Sequence, residues 1–281
     1  MATPVLAVWY DTDVSIVIEK IMIYMVLKNK SLRKKRFLCL SAGLFLAFLS
    51  HAHANCEAEA APRVNWAGCD KSGQDFSGKD LGHAILSNAN LQGANFTGAR
   101  LSHADFEFAN ISHAIFDKAR MQDSRLVSAS AEKASFKSAI MDGASFSRSE
   151  MNQADFQQAR LTNASFYEAS LKGANFTSAL LQSASFVRAS IVNAVFDGAN
   201  LSQATMNSAL MESASIKKAD LTSAVLDQAD LKFVDFSESD LKKASLREAV
   251  IDGAIFDEAK LGRAIWIDLK RCRASAVGSC Q

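Results

Sequence analysis

The chain contains 281 residues, of which 22% are charged and 49% are hydrophobic. That length allows one large domain or two ordinary ones. Residues 55–281 carry 24 Lys and Arg residues against 27 Asp and Glu residues, a net charge of −3. Because so balanced a charge offers no basic patch for phosphates, we expect no nucleic-acid binding.

Residues 1–54 contain a segment typical of a secretory signal peptide, preceded by an upstream segment. Residues 28–36 carry six positive charges, residues 37–50 form an apolar run of 14, and Ala52 and Ala54 flank His53. Signal peptides have this order of basic region, short apolar region and A-x-A site. We therefore predict cleavage after Ala54 and export to the periplasm. A retained anchor is the alternative, although a membrane span needs about 20 residues. Met22 or Met25 is an alternative start of translation.

Four cysteines remain after the predicted cleavage, in pairs at the two ends of the mature chain: Cys56, Cys69, Cys272 and Cys280. In an oxidising compartment the economical pairing is Cys56 with Cys69 and Cys272 with Cys280, although four cysteines allow three connectivities. A zinc site is the competing interpretation. It is disfavoured because no histidine follows either pair at ligand spacing.

Between these ends the sequence repeats every five residues. From Phe76 to Trp266, every fifth position holds Phe, Leu, Ile, Met or Trp, and Ala131 is the one exception among 39 positions. Two places earlier, from Ala84 to Ala264, 33 of 37 positions are alanine. The departures are Ser124, Ser149, Val234 and Ser239. The phase never shifts, so the array contains no insertion.

A period of five fits neither a continuous helix nor a continuous strand. On a helix, successive large residues would lie about 140° apart and form no single face. On a strand they would alternate between its two sides. The alanine and the large residue of one unit are two positions apart and share a side of an extended segment. A turn in each unit must absorb the remaining residues, and this predicts a coil with both residues facing its axis.

The distribution of phenylalanine predicts four units per coil. Positions ten apart from Phe96 to Phe196 hold Phe in ten of eleven cases, whereas the interleaved positions 91–201 hold none. With four five-residue units per coil, like residues stack over like in continuous columns. Such columns fill the interior of a solenoid.

Units such as GANFT, GANLS, KADLT and QADLK resemble the A-[DN]-[LF]-x-x units of pentapeptide repeat proteins, and the resemblance covers residues 74–266. It implies an all-β fold, a right-handed quadrilateral β-helix with alanine and the large residue inward. About ten coils of four five-residue units are expected. Because a solenoid has two open ends, we predict an N-terminal cap at 55–73 and a C-terminal cap at 267–281.

Outward residues at the same position of successive coils should lie one above another. Arg100, Arg120 and Arg160 fall in one column and are candidates for binding an acidic partner; an ordinary solvated face is the alternative. His83 and His103 fall in another column and are candidate metal ligands, although no third ligand is evident. Apolar outward residues crowd towards the C-terminal end, which suggests a homodimer through that end. They are Val250, Ile255 and Ile265.

No catalytic motif occurs: the sequence lacks Gly-x-Ser-x-Gly, a P-loop, a dinucleotide fingerprint and His-Glu-x-x-His. Asp230 and Asp235 are close in sequence, but no loop surrounds them to form a concave site. We therefore predict a non-enzymatic exported scaffold or protein-binding module, with no cofactor and an unknown protein or envelope component as partner. The resemblance implies one alternative, a DNA-mimicking protein that binds topoisomerases. An inert structural spacer is the other.

Overall fold

The computed structural model describes residues 54–280, so the predictions for residues 1–53 lie outside the described residues. From 54 to 280 there is no α-helix and no extended strand; isolated parallel bridges instead occur at every fifth residue from Asn65 to Ile265. Each bridge joins residues 20 positions apart, such as Asn65 and Ile85. One coil therefore consists of four five-residue units, as the phenylalanine columns predict. No helix in this part of the chain has the length and apolar character needed to span a bilayer.

Each five-residue unit changes direction at a hydrogen-bonded turn. In one unit the N–H of Ala84 donates to the carbonyl of Leu81 at 3.0 Å, and His83 has a φ of 57°. A positive φ at the second central residue is characteristic of a type II turn. Non-glycine residues occupy most of these turn positions, at a cost of about 1–2 kcal/mol each. Hydrogen bonds to the next coil offset this cost, as when the N–H of His83 donates to the carbonyl of Ser102 at 2.9 Å.

The interior consists of the alanines and the large residues, which are almost all fully buried. The phenylalanines of successive coils stack in parallel: the ring centroids are 4.7–5.0 Å apart along the column from Phe96 to Phe196. Neighbouring columns meet edge to face, as Phe156 and Phe166 do at 5.8 Å. These are the preferred geometries of aromatic pairs. The prediction that both residue types face the axis is confirmed, and Ala131 is likewise fully buried.

Three serines occupy alanine positions and are buried, and their hydroxyl groups differ in environment. Ser149 donates to the carbonyl of Phe146 at 2.6 Å. Ser239 accepts from the N–H of Ala219 at 3.2 Å and donates to a carbonyl of the preceding coil. Within residues 54–280, the Oγ atom of Ser124 has no hydrogen-bond partner. Ser124 therefore carries a desolvation cost that the other two serines avoid.

We expect Ser124→Ala to raise the free energy of unfolding by about 1–3 kcal/mol, because it removes a buried hydroxyl without a partner. Urea denaturation followed by circular dichroism measures this change. Ser149→Ala is the matched control and should give no gain, since it removes a hydrogen-bonded hydroxyl. Equal effects of the two substitutions would contradict the assignment.

The N-terminal end is closed by a segment that runs into the first coil. The indole N–H of Trp66 donates to the carbonyl of Ala58 at 3.1 Å, and the Nζ atom of Lys71 lies 4.7 Å from the Trp66 ring centroid. A disulfide bond joins Cys56 to Cys69. The regular bridges begin at Asn65, inside the segment predicted as a cap. The five-residue register extends this far because Trp66 takes a buried large-residue position.

At the C-terminal end the chain folds back over the last coil. Antiparallel bridges join Lys260 to Val277 and Ile265 to Arg271. The N–H of Leu261 donates to a carbonyl of the returning segment, that of residue 276, at 2.9 Å. A second disulfide bond joins Cys272 to Cys280, so the two bonds are the pairs named from the sequence. The returning segment lies within the predicted C-terminal cap, 267–281.

Candidate binding faces

Three of the five residues in each unit point outward: the residue before the large one and the two after it. We name the four resulting faces after four successive interior residues. The Phe76 face consists of residues 75, 77 and 78 and the residues at intervals of 20 after them. The Leu81, Leu86 and Leu91 faces are defined in the same way and begin at residues 80, 85 and 90, respectively.

The Leu81 face contains the three arginines predicted to bind an acidic partner. Arg100 and Arg120 are bridge partners, so the predicted column is present. The Nε atom of Arg100 lies 3.4 Å from a carboxylate oxygen of Asp80. Arg160 donates from Nε to Asp142 at 2.8 Å, and this hydrogen bond raises the pKa of Arg160. Arg120 is exposed and has no ion pair within residues 54–280, so the three side chains are not equivalent.

The same face contains the two predicted metal-ligand candidates. His83 and His103 are one coil apart, with parallel rings whose centroids are 4.8 Å apart. The Nδ1 atom of His103 lies 4.0 Å from a carboxylate oxygen of Asp123. Across the described residues, no group of three or more His, Cys, Asp or Glu side chains is arranged to hold a metal ion. Stacked rings present their faces to each other, whereas ligation uses the nitrogen lone pairs in the ring plane.

The Phe76 face carries a ladder of side-chain contacts between coils. Asp117 accepts hydrogen bonds from the hydroxyl of Ser135 at 2.5 Å and from the N–H of Lys137 at 3.1 Å. The Nζ atom of Lys137 then lies 3.2 Å from a carboxylate oxygen of Asp155, in the following coil. Three successive coils are tied together by these contacts. Sequence reasoning had not singled out these residues, although their spacing of 18–20 positions is readable once the coil length is known.

Two exposed aromatic residues also escaped the sequence analysis. Phe108 on the Leu86 face and Phe233 on the Leu91 face are 58% and 59% exposed. Both stand at the positive-φ position of a turn, where a bulky residue is strained. The Phe233 ring covers Gly253, where a Cβ atom would overlap the ring. A large apolar residue at the second position after the interior one is the pattern that would have revealed both.

The five-residue period is also the feature for which the family model of pentapeptide repeats is named. That model matches residues 67–102, 104–143, 132–167, 159–198, 169–207, 189–228 and 229–265. The chain belongs to the pentapeptide repeat family. This membership supports a β-helix-like solenoid, the fold class that the units GANFT and KADLT indicate. No curated protein matches the chain.

Several solved structures are similar to this pentapeptide repeat protein. HetL from Nostoc, a protein involved in regulating heterocyst differentiation, is 24% identical, with 82% of this chain and 98% of HetL covered and a TM-score of 0.38. A protein of the Arabidopsis thaliana thylakoid lumen is 29% identical over 40% of this chain and 68% of its own, with a TM-score of 0.29. QnrB1, a plasmid-mediated fluoroquinolone resistance protein, is 14% identical over 68% and 92%, with a TM-score of 0.45.

Proposed function

We propose that this pentapeptide repeat protein is a non-enzymatic exported scaffold that binds a protein or an envelope component through its outward faces. The supporting observation is the fixed spacing of those faces: side chains one coil apart stand on bridged backbone positions along the whole array. Long, rigid surfaces of this kind suit recognition of extended partners. The proposal includes the right-handed, four-sided winding of about ten coils that the family resemblance implies.

Export to the periplasm is part of the proposal. It is supported by the basic, apolar and A-x-A order of residues 28–54. The disulfide bonds Cys56–Cys69 and Cys272–Cys280 agree with it, because disulfides persist in oxidising compartments. Detection of the full-length leader on protein in the cytoplasm would contradict it.

The alternative of a DNA mimic that binds topoisomerases is less well supported. A mimic needs a continuous acidic surface, whereas residues 55–281 carry almost as many basic as acidic groups. The carboxylates also lie beside cations: the Nη2 atom of Arg125 is 2.6 Å from Glu107, and the Nζ atom of Lys217 is 3.0 Å from Asp235. Such pairing interrupts the negative field that a mimic would present.

Crosslinking of the exported protein in its own cell, followed by identification of the proteins that co-purify, tests the proposed function. A binding scaffold should give a specific adduct, and this adduct should be absent when the protein carries no crosslinker. Failure to recover any specific adduct would favour the inert spacer instead.

For the arginine column, we expect the triple charge reversal Arg100→Glu, Arg120→Glu and Arg160→Glu to reduce the recovery of an acidic partner by roughly tenfold or more. The reason is that three reversed charges oppose the same acidic surface. The matched control reverses three arginines of the Leu86 face: Arg125, Arg148 and Arg188. Equal losses of partner recovery in both triple variants would show that only the net charge of the protein matters. Unchanged recovery in the first triple variant would show that the arginine column is not part of the binding site.

Self-association through the C-terminal end also remains part of the proposal. Val250 and Ile255 are 40% and 43% exposed beside that end, and Ile251 and Trp266 are only partly buried. Clustered apolar groups near the end of the solenoid favour a partner that covers them. The molecular mass of the protein in solution decides between a monomer and a dimer.

A further inference from the structure

The array contains an internal repeat, four coils long, that is visible on one face. Residues 75–153 correspond position by position to residues 155–233, with an offset of 80 residues. On the Phe76 face, six of twelve outward positions are identical in the two blocks. The retained pairs are Asp75 and Asp155, Asn95 and Asn175, Thr97 and Thr177, Asp117 and Asp197, Ser135 and Ser215, and Lys137 and Lys217.

The other three faces have lost this pattern. Only three of their 36 outward positions are identical between the two blocks, and the Leu81 face has none. Arg100 and Arg120, for example, correspond to Leu180 and Asn200. The Phe76 face therefore has the same residue in both blocks at half of its outward positions, whereas the other three faces have diverged almost completely.

Three of the retained residues in each block also keep their contacts. Asp197 accepts from the hydroxyl of Ser215 at 2.7 Å and from the N–H of Lys217 at 3.0 Å, which repeats the contacts of Asp117 in the first block. The Nζ atom of Lys217 then lies 3.0 Å from Asp235. The Asp, Ser and Lys side chains of this ladder are thus arranged in the same way in both blocks.

Side-chain hydrogen bonds that brace one coil against the next do not by themselves explain this retention. On other faces, the residues that form such bonds differ between the two blocks. On the Leu91 face, Asn152 accepts from the hydroxyl of Ser170 at 2.8 Å and from the N–H of Lys172 at 3.0 Å. Its equivalent in the second block is Lys232, which cannot accept these bonds. On the Leu81 face the bracing Asp142 corresponds to Thr222. Identical residues are therefore not needed to hold the coils together.

We propose that the Phe76 face is a recognition face separate from the arginine column of the Leu81 face, and that it binds a protein whose contact surface repeats by translation at about 19 Å, four coils of the ~4.8 Å strand spacing. This inference rests on the proposed binding function. Because the two arrangements are four coils apart along one solenoid and have the same orientation, they suit two equivalent surfaces that are also related by translation. A tandem-repeat protein or a linear assembly offers such surfaces, whereas a two-fold dimer presents them in opposite orientations.

The chemistry of the face defines the surface that it would bind. Its outward residues include eight Asp or Glu and four Lys, so the complementary surface is net positive and rich in hydrogen-bond donors. Ile115, 40% exposed, and the equivalent Val195 place one aliphatic contact in each block. An apolar centre with a polar rim is typical of protein interfaces, and nucleic-acid phosphates would be repelled by the excess of carboxylates.

The test uses a photo-crosslinking amino acid, benzoylphenylalanine, placed in the full-length exported protein in its own cell. The probe replaces Ile115 or Val195 on the Phe76 face. The matched controls have it at Ile85, Leu180 or Leu210, which occupy the same position of the unit on the other three faces and are 39%, 41% and 51% exposed. We expect one adduct of the same mass from Ile115 and Val195, and no adduct of that mass from the controls.

Each of the other outcomes contradicts a specific part of this proposal. Adducts from the control faces alone would overturn the assignment of the face and leave the proposed function standing. An adduct from only one of Ile115 and Val195 would overturn the translational repeat. An adduct with the mass of two chains would identify a second copy and overturn the choice of partner. No adduct from any face would overturn the inference together with the proposed function.

A second experiment distinguishes a role of the carboxylates in binding the partner from a role in holding the coils together. Asp117→Asn and Asp197→Asn remove a charge from each block but keep an acceptor that can brace, as Asn152 does. We expect either single variant to lower the adduct yield a few-fold and the double variant to lower it at least tenfold, because two linked contacts bind more tightly than one. Urea unfolding should stay unchanged. An unchanged yield in the double variant would overturn the recognition role of the carboxylates.

Discussion

Phe156→Ala is expected to lower the free energy of unfolding by about 3–5 kcal/mol, the range for Phe to Ala in a close-packed core. The Phe156 ring is fully buried and stacks between Phe136 and Phe176, with centroid distances of 4.9 and 4.7 Å. It also meets Phe166 edge to face. The substitution removes all these contacts and leaves a cavity that the rigid coils above and below cannot close.

Phe108→Ala makes the same chemical change on the surface and is the matched control. Phe108 is 58% exposed and its φ is 59°, so removal of its ring should change the free energy of unfolding by less than about 0.5 kcal/mol. Guanidinium denaturation of both variants measures the difference. Similar losses at the two sites would show that the aromatic column does not carry the stability assigned to it.

Replacing both Cys56 and Cys69 by serine is expected to lower the free energy of unfolding by about 2–4 kcal/mol, the usual contribution of a disulfide bond. The bond joins residues 13 positions apart. Cys69 stands at an alanine position and is 2% exposed, so the bond anchors the N-terminal segment to the interior of the first coil beside Trp66. Its loss also frees the segment that shields this end of the solenoid.

The control for this prediction is the reduced protein. Under oxidising conditions the wild type should unfold at a higher denaturant concentration than the double serine variant with Cys272 and Cys280 intact. A reductant also opens Cys272–Cys280 in both proteins, so it should bring their midpoints together. Equal midpoints under oxidising conditions would mean that the bond between Cys56 and Cys69 does not hold the cap.

The core was predictable from the sequence because its pattern is local and repeated. Alanine and a large residue two positions apart, such as Ala164 and Phe166, require an extended segment with both side chains on one side. The recurrence of phenylalanine at every second unit required an even number of units per coil. The departures from the pattern at Ala131 and Ser124 were also visible in the sequence. That the Ser124 hydroxyl lacks a hydrogen-bond partner among the described residues became visible only in the fold.

The surface could be predicted only in part. The coil length correctly placed Arg100 above Arg120 and His83 beside His103. It did not show that Asp142 would take Arg160 as its partner, since these residues are 18 positions apart and belong to different columns. It also did not show that Phe108 and Phe233 would remain exposed on strained turns.

By itself, the sequence determined the interior, the length of the coil and the membership of the family, because each unit repeats the same local constraint dozens of times. Only the tertiary structure decided which outward side chains pair across coils and how the two ends are closed. Those contacts join residues of different columns, or segments such as 54–60 and 267–280 that no longer follow the period. Their geometry depends on the folded stack of coils, and a repeat read along the chain carries no information about it.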